Sequence, residues 1–539
     1  MEIDLVLYNG QVHTLDPAEP KCSAIAISGN EIVGTGTDSL AMALSNDQGR
    51  KIDLNGRCVI PGLVDTHLHF ESYALSLQRV DLTDVPDLDT ALATIKEEAD
   101  KNDNDGWIQG RGWNQALWPG GHFPAANDLD QIVPNRPILL NHRSGHAAWA
   151  NTKAMQIAKL NEVNVDPQGG AIQRDDLGRP TGILFEKAMK LISDCVPKPS
   201  VTEVSDAMGE AQKRCLRAGL TGFHDFDGRR CFLALQELRN NSALQLRVVK
   251  NIPVERLHHA LGVGINSGFG DDWIRIGSVK LYADGALGPR TASMIASYEG
   301  EKDNLGLIVT DKEEMIALVR DASQHGLSVA VHAIGDKANH DVLDVFEEVA
   351  RENLAKNFDQ RFPSPPLRHR IEHAQLLHPE DISRFASIGV IASMQPIHAT
   401  ADMEMVELHW GDRSRYAYAW RSIIDSGATF AFGSDAPVEA IEPLTGIHAA
   451  VTRQRVDGAP GAEGWIPEQR ITIQEAVAGY TIGAAIASNR MDYMGTISKG
   501  NLADLTILER DIFGIHPNEI PSVGVAGTIV DGQVKYRNW

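Results

Sequence analysis

PGLVDTHLHF, residues 61–70, decides the fold: apolar residues lead into two histidines set two positions apart. Alternate side chains of a strand share a face, so His67 and His69 point the same way at the end where the chain leaves the sheet. Two imidazoles placed like this suit one metal ion. Outward from this stretch come seven more apolar, β-rich runs: GLTGFHDF, LQLRVVKNI, IRIGSVKLYADG, LSVAVHAIGD, RHRIEHAQL, GVIASMQPI and ATFAFGSDAP. Helical patterns such as KEEMIALVRDASQHG and HDVLDVFEEVARENL separate several of them, with Gly326 placed as a helix stop. Eight strand–helix units predict an α/β fold closed into a (β/α)8 TIM barrel.

Two regions do not fit a plain barrel. The first strand ends near Phe70 and the second starts near Gly219, a connection far longer than the usual barrel loop. A large insertion after strand 1, a cap over residues 71–200, is therefore expected within the barrel region 61–487. It holds GWIQGRGWNQALWPGGHFP and RPILLNHRSGHAAWANTKAM, and it is expected to cover the barrel mouth. At the start, DLVLYNGQVHT, AIAISGNEIVGTG and GRCVIPGL read as hairpins; near the end, GTISKGNLADLTIL and VAGTIVDGQVKY use the same vocabulary. An isolated hairpin is marginal in water, so both ends are expected to combine into one small β-sandwich-like domain, 1–60 plus 488–539. RVDGAPGAEGWIPEQR is the expected loosest loop.

Composition narrows the class. Of 539 residues, 50 are basic and 72 acidic, a formal charge of −22 that repels phosphate backbones, and no basic stripe offsets it. Nucleic acid is not an expected partner. Hydrophobic residues make up 43% and charged residues 23%, the balance of an ordinary globular chain rather than a disordered one. Cys22, Cys58, Cys195, Cys215 and Cys231 are odd in number and form no CxxC, so neither a disulfide framework nor a cysteine zinc knuckle is expected. A reducing, cytoplasmic setting fits. The start is acidic where a signal peptide is basic, and no run approaches the ~18 apolar residues of a membrane helix, so no membrane association is expected. The expected partner is a small-molecule substrate, and a homodimer is left open.

The other candidate site residues repeat the placement of the first pair. His332, His373 and Asp435 each end a predicted strand beside a turn residue. Any one of them alone suits a hydrogen-bonded core or loop position, but four imidazoles and a carboxylate at the ends where barrel enzymes carry their chemistry predict a metal centre. In IRIGSVKLYADG, alternation puts Lys280 inside the barrel, where a bare ammonium is costly. It can pair with Asp284 or Asp225, lose its proton, or take up carbon dioxide as a carbamate that ligates metal.

PGLVDTHLHF, with VHAIGD, RIEHAQ and GSDAP following in order, resembles the amidohydrolase superfamily of metal-dependent hydrolases. GRGW, SGHAAWAN, RDDLGRPTGILFE and VKLYADGALGPRTA resemble the branch, of amidohydrolase family 3 type, that includes N-substituted formamide deformylases. The resemblance covers essentially the whole chain. It implies that His67, His69, His332, His373 and Asp435 hold one or two divalent ions, zinc first among them. It also implies that Lys280 takes the place of a carboxylated lysine, and that Asp435 serves as general base and acid in hydrolysis of a non-peptide carbon–nitrogen bond. Cyclic-amide hydrolysis, deamination and a catalytically silent metal-binding regulator are the alternatives. Trp113, His146, Arg290 and His398 are candidate substrate contacts; Gly288, Pro289 and Arg290 stand where relatives commonly carry Gly-Ser-Arg.

Overall fold

The computed structural model describes residues 3–44, 49–101, 106–143, 146–163, 165–355 and 367–539. All eight runs chosen from the sequence form strands of one parallel sheet. They are β1 (Leu63–Leu68), β2 (Leu220–Asp225), β3 (Arg247–Pro253), β4 (Ile274–Tyr282), β5 (Val329–Ala333), β6 (Arg370–His373), β7 (Ile391–Met394) and β8 (Phe430–Phe432), neighbours in that order. The ends meet through a parallel bridge between Leu68 and Ala436. There Asp435 N donates to His67 O at 2.7 Å and His69 N to Ala436 O at 3.1 Å. The fold is a (β/α)8 TIM barrel. Gly433 makes the closure possible: a Cβ there would lie 2.5 Å from His67 N and 2.6 Å from Asp65 Oδ1.

Helices cover the outside of the sheet, so most strand residues are buried on both faces and the strands read as near-continuous apolar runs. The helix Lys312–Gln324 shows how sequence sets one such element. Met315, Val319 and Ala322 are buried at spacings of four and three, and Asp311 caps the start by accepting from Glu314 N at 2.8 Å. Gly326, with φ +76°, follows its end.

The run CVIPGLVDTHLHF divides at Gly62. Cys58–Pro61 belongs to a different sheet, where it pairs antiparallel with Leu505–Leu508 and parallel with Gln11–His13. Any side chain at Gly62 would strike Thr221, whose Oγ1 would lie 2.4 Å from its Cβ, so the chain passes from one sheet to the next only with glycine there. The terminal segments build two sheets. One has the order Glu31–Gly36, Ala24–Ser28, Leu5–Tyr8, Arg50–Asp53; the other runs Gln533–Arg537, Val525–Val530, Leu505–Leu508, Cys58–Pro61, Gln11–His13, Lys21–Cys22. Leu5, Leu7, Ile25 and Ile27 from the first and Val12, Val59, Leu505 and Ile507 from the second share one core, a β-sandwich. Asn9-Gly10 is therefore not a hairpin turn, contrary to the sequence expectation. It carries the chain between layers, because Leu7 and Val12 both reach the shared core only from opposite sheets. The turns at Gly29-Asn30 and Asp531-Gly532 do join antiparallel neighbours.

The chain divides into two compact units, one of residues up to Tyr73 and from Met208 onward, the other Ala74–Ala207. The first holds the barrel and the sandwich. The second has its own six-stranded sheet and a core that includes Trp113, Trp118 and Trp149. The expected loose loop is tied down instead: Gln454 Nε2 donates to Gly461 O and Ala462 O at 2.8 and 2.9 Å, and Trp465 N to Arg453 O at 2.8 Å. All five cysteines are free thiols, and among the described residues no helix is long and apolar enough to cross a membrane.

Candidate metal centre

At the C-terminal ends of the barrel strands, four histidine rings come together. Ring centroids are 5.7 Å apart for His67 and His69, 4.8 Å for His67 and His373, and 4.6 Å for His332 and His373. Strand alternation does not account for all of this. His332 is paired with Glu372 and Ala333 with His373, so alternation alone would turn His373 away from the face that His332 uses. Positive φ values of 76° at His373 and 43° at Ala374 bend the strand end and return the ring. Asp435, with φ 62°, is held in the same left-handed region just beyond β8. Such strain in non-glycine residues persists where the surroundings impose it, commonly at functional sites.

Each ring is fixed from behind. His67 Nδ1 lies 2.6 Å from Glu372 Oε2, His69 Nδ1 3.2 Å from Asp227 Oδ1, and His373 Nδ1 2.8 Å from Gln395 Oε1. His332 is bound the other way round, its Nε2 donating to Gly285 O at 2.8 Å, which leaves the lone pair on Nδ1. Asp65 steadies the β1–β8 seam by accepting from His67 N at 2.9 Å and from Ser434 N and Oγ at 3.1 and 2.5 Å. Glu372 is itself met by Arg370, Nε to Oε1 2.6 Å.

The forward-facing atoms are left for something else. His67 Nε2 is buried without a hydrogen-bond partner. It and His69 Nε2 both lie 3.6 Å from Asp435 Oδ1, too long for a hydrogen bond but close to the roughly 3.3 Å that separates two ligands of one tetrahedral zinc ion. Burial, reinforced by the Lys280 charge, brings His332 down to about 4 and holds His67 well below its ordinary pKa; burial and the neighbouring rings hold His373 well below its ordinary pKa too. Neutral imidazole is the ligating form. Imidazole nitrogens with fixed orientation, an orphaned Nε2 and a carboxylate among them fit a divalent cation.

Asp435 faces His398 with its other oxygen, Oδ2 to Nε2 3.3 Å, and His398 Nδ1 lies 3.4 Å from Glu439 Oε1. Burial would raise the Asp435 carboxyl, but the His398 bond and the nearby rings outweigh it and hold it well below the carboxylate range. For His398, burial is outweighed by Asp435 and Glu439, and the ring rises to about 10. Lys280 is buried between Phe226 and Tyr282, its Nζ 4.4 and 5.1 Å from their ring centres. Neither acid considered from the sequence pairs with it. Asp225 binds Lys250 Nζ at 2.6 Å, and Asp284 accepts from the backbone amides of Ser293, Ile334 and Gly335 at 2.9, 3.0 and 2.8 Å. Burial lowers the Lys280 amine to about 8 against the opposing pull of Glu372 and Asp435.

The remaining candidates have partners of their own. Trp113 is fully buried in the core of the inserted unit, its Nε1 donating to Leu140 O at 2.9 Å. His146 is exposed and 2.9 Å from Glu186; Ser144 and Gly145 of the same motif lie outside the described residues. Arg290 is half-exposed and paired with Glu301. Sequence reasoning did not select Asp65, Asp227, Glu372, Gln395 or Glu439. Asp65 alone had a direct signal, since positions 65, 67 and 69 share one face.

Barrel and site together define a metal-dependent hydrolase. Four imidazole rings, three of them shifted toward the neutral form, the poised carboxylate and the buried lysine are gathered where barrel enzymes act. The chain belongs to the amidohydrolase family, whose model matches residues 50–536. Protein LONG AFTER FAR-RED 3 of Arabidopsis thaliana is 33% identical, covering 99% of this chain and 91% of its own length. The N-substituted formamide deformylase of Arthrobacter pascens is 27% identical, over 99% and 98% respectively. Among solved structures, an uncharacterized metal-dependent hydrolase of Pyrococcus furiosus superposes with a TM-score of 0.77 at 29% identity, covering 94% of this chain and 99% of its own.

Proposed function

We propose that this chain hydrolyses the carbon–nitrogen bond of a small non-peptide amide, with N-substituted formamides as the leading class. The observation that carries this is the orphaned His67 Nε2, facing Asp435 among rings that are otherwise held from behind. The formamide class is supported by the full-length likeness to the deformylase. His67, His69, His332, His373 and Asp435 would hold the metal, and the imidazole and carboxylate donor set favours zinc. Bound there, the cation supplies Lewis acidity, polarising a carbonyl and bringing the pKa of water toward ~7.

Asp435 takes the proton from the attacking water and returns it to the amine nitrogen as the carbon–nitrogen bond breaks. His398, braced by Glu439, fixes the carboxylate in the orientation needed for both transfers. Lys280 can supply a further ligand. With its amine lowered to about 8, a useful fraction is neutral near pH 7; its nitrogen bonds to the carbon of carbon dioxide and loses a proton, leaving a carbamate whose oxygens can serve a second ion. A test is metal analysis together with product analysis on N-alkyl and N-aryl formamides, N-acyl amines and cyclic amides. Formate and amine in equal amounts are expected. Ammonia, ring opening without release, or stoichiometric metal with no turnover would overturn the reading.

A further inference from the structure

A cavity lies in the barrel unit at the start of β4, away from the end that carries the histidine cluster. It has a volume of about 340 Å³ and is lined by Asn266, Ser267, Phe269, Arg275, Asn489 and Tyr493, with the backbone of Gly264 and Gly268 completing the wall. That volume falls within the range of small-molecule pockets. Arg275 and Lys280 are five residues apart on one strand, roughly 16 Å at strand rise. The cavity therefore does not belong to the centre described above.

Arg275 is half-buried, and its side chain makes no hydrogen bond or ion pair with any described residue; its Nε is fully buried without a partner. In a chain with 72 acidic side chains, an arginine left without a carboxylate is unexpected. Of the acids in this region, Asp271 is paired with Arg239, and Asp504 and Asp531 with Arg247, while the Asp272 charge acts on Arg490 rather than on Arg275. Positive charge accumulates around the same wall. Arg368 Nε donates to Asn489 Oδ1 at 3.0 Å, and Arg490, buried next in sequence to Asn489, also leaves its Nε without a partner. Buried guanidinium nitrogens without acceptors carry a cost that an anion would remove.

We propose that this cavity binds a small oxyanion, a carboxylate or a phosphate, on the Arg275 guanidinium, whose planar fork matches two oxygens of either group. The half-exposed hydroxyl-bearing ring of Tyr493 and the exposed ring of Phe269 stand beside it, so an aromatic carboxylate gains contact area that acetate lacks.

The test is calorimetric titration of the metal-loaded protein with acetate, benzoate and inorganic phosphate at constant ionic strength, repeated on Arg275→Gln and Arg275→Lys. Saturable binding of at least one anion is expected, weakened about 10-fold or more in Arg275→Gln and less in Arg275→Lys. The tightest probe identifies the ligand class. Absence of saturable binding, or binding that survives Arg275→Gln because it belongs to the metal centre, overturns the proposal. If Arg275→Gln does not fold, the wild-type protein decides: modification of Arg275 by phenylglyoxal, mapped by peptide mass, should slow several-fold with the anion present. Unchanged modification counts against the site.

Discussion

Two clusters of metal-ligand side chains in this chain look alike on paper and differ in one respect. At the barrel mouth, His67, His373 and Asp435 have ligand atoms within 4.8 Å of one another; in the sandwich, His13, Cys58 and Asp511 meet the same measure. The sandwich cluster is self-sufficient. His13 Nε2 lies 3.0 Å from Asp511 Oδ1, its ring stacks on Phe513 at 4.0 Å, and burial together with the Asp511 charge keeps the Cys58 thiol protonated. The barrel cluster leaves a buried nitrogen with nothing to bind. Proximity of ligand types is thus poor evidence for a metal, whereas rings fixed through one nitrogen and vacant at the other are good evidence. The same logic sets aside the third such group, Asp225, Asp227 and Cys231, because Lys250 already occupies it with an ammonium.

The largest expected effect falls on the barrel cluster. Replacing Asp435 with asparagine removes the group proposed above to accept a proton from water and to return it. Turnover should drop by roughly 10³-fold, within the usual range for loss of a general base. Steady-state rates on the best formamide would show it, and a variant retaining a tenth of the activity would end the role assigned to Asp435. A smaller effect is expected one layer back. Glu372→Gln keeps a partner for His67 Nδ1 but removes the charge that sets ring orientation and basicity, so zinc affinity measured by chelator competition should fall about 10- to 100-fold. His13→Ala should leave zinc affinity and stoichiometry untouched. A lost equivalent of metal in that variant would erase the distinction between the two clusters.

How far this distinction was visible in the sequence can be followed residue by residue. The eight strand runs and the positions of His67, His69, His332, His373 and Asp435 at their ends were legible, because burial on two faces gives a long apolar run and turns mark where it stops. The return of His373 to the shared face was not. It depends on φ values at residues 373 and 374 that no alternation pattern encodes. Nor was the choice among partners for Lys280, since Asp225 is taken by Lys250 and Asp284 by backbone amides, both consequences of how distant segments meet. Asn9-Gly10 misled for a related reason: a turn dipeptide specifies a local bend, while the sandwich core decides which sheet each flanking strand joins.

The sandwich cluster should respond in stability instead of chemistry. Asp511→Ala takes away the acceptor that His13 uses and should cost roughly 1–3 kcal/mol, the range for leaving a buried polar group unsatisfied. Urea denaturation of the metal-loaded protein would register this as a lower midpoint with an unchanged slope, while metal content stays constant.

The smallest effect has a definite sign. Burial lowers the His13 pKa below its ordinary 6.5, and the attraction of Asp511 only partly opposes it. A histidine whose folded-state pKa is depressed binds fewer protons folded than unfolded over the interval between the two values, so stability rises with pH there. The contribution is fully present above about 6.5 and is lost as the pH falls toward the folded value. Between pH 7.5 and pH 5.5 the wild-type protein should therefore lose a small increment of stability that His13→Gln does not lose, seen as a difference between their two urea midpoints. If ion pairing with Asp511 governed the site instead, the folded pKa would stand above 6.5 and the wild-type protein would gain on acidification relative to the variant. The sign of that difference separates a cluster satisfied as a neutral, buried hydrogen-bond network from one held together by charge.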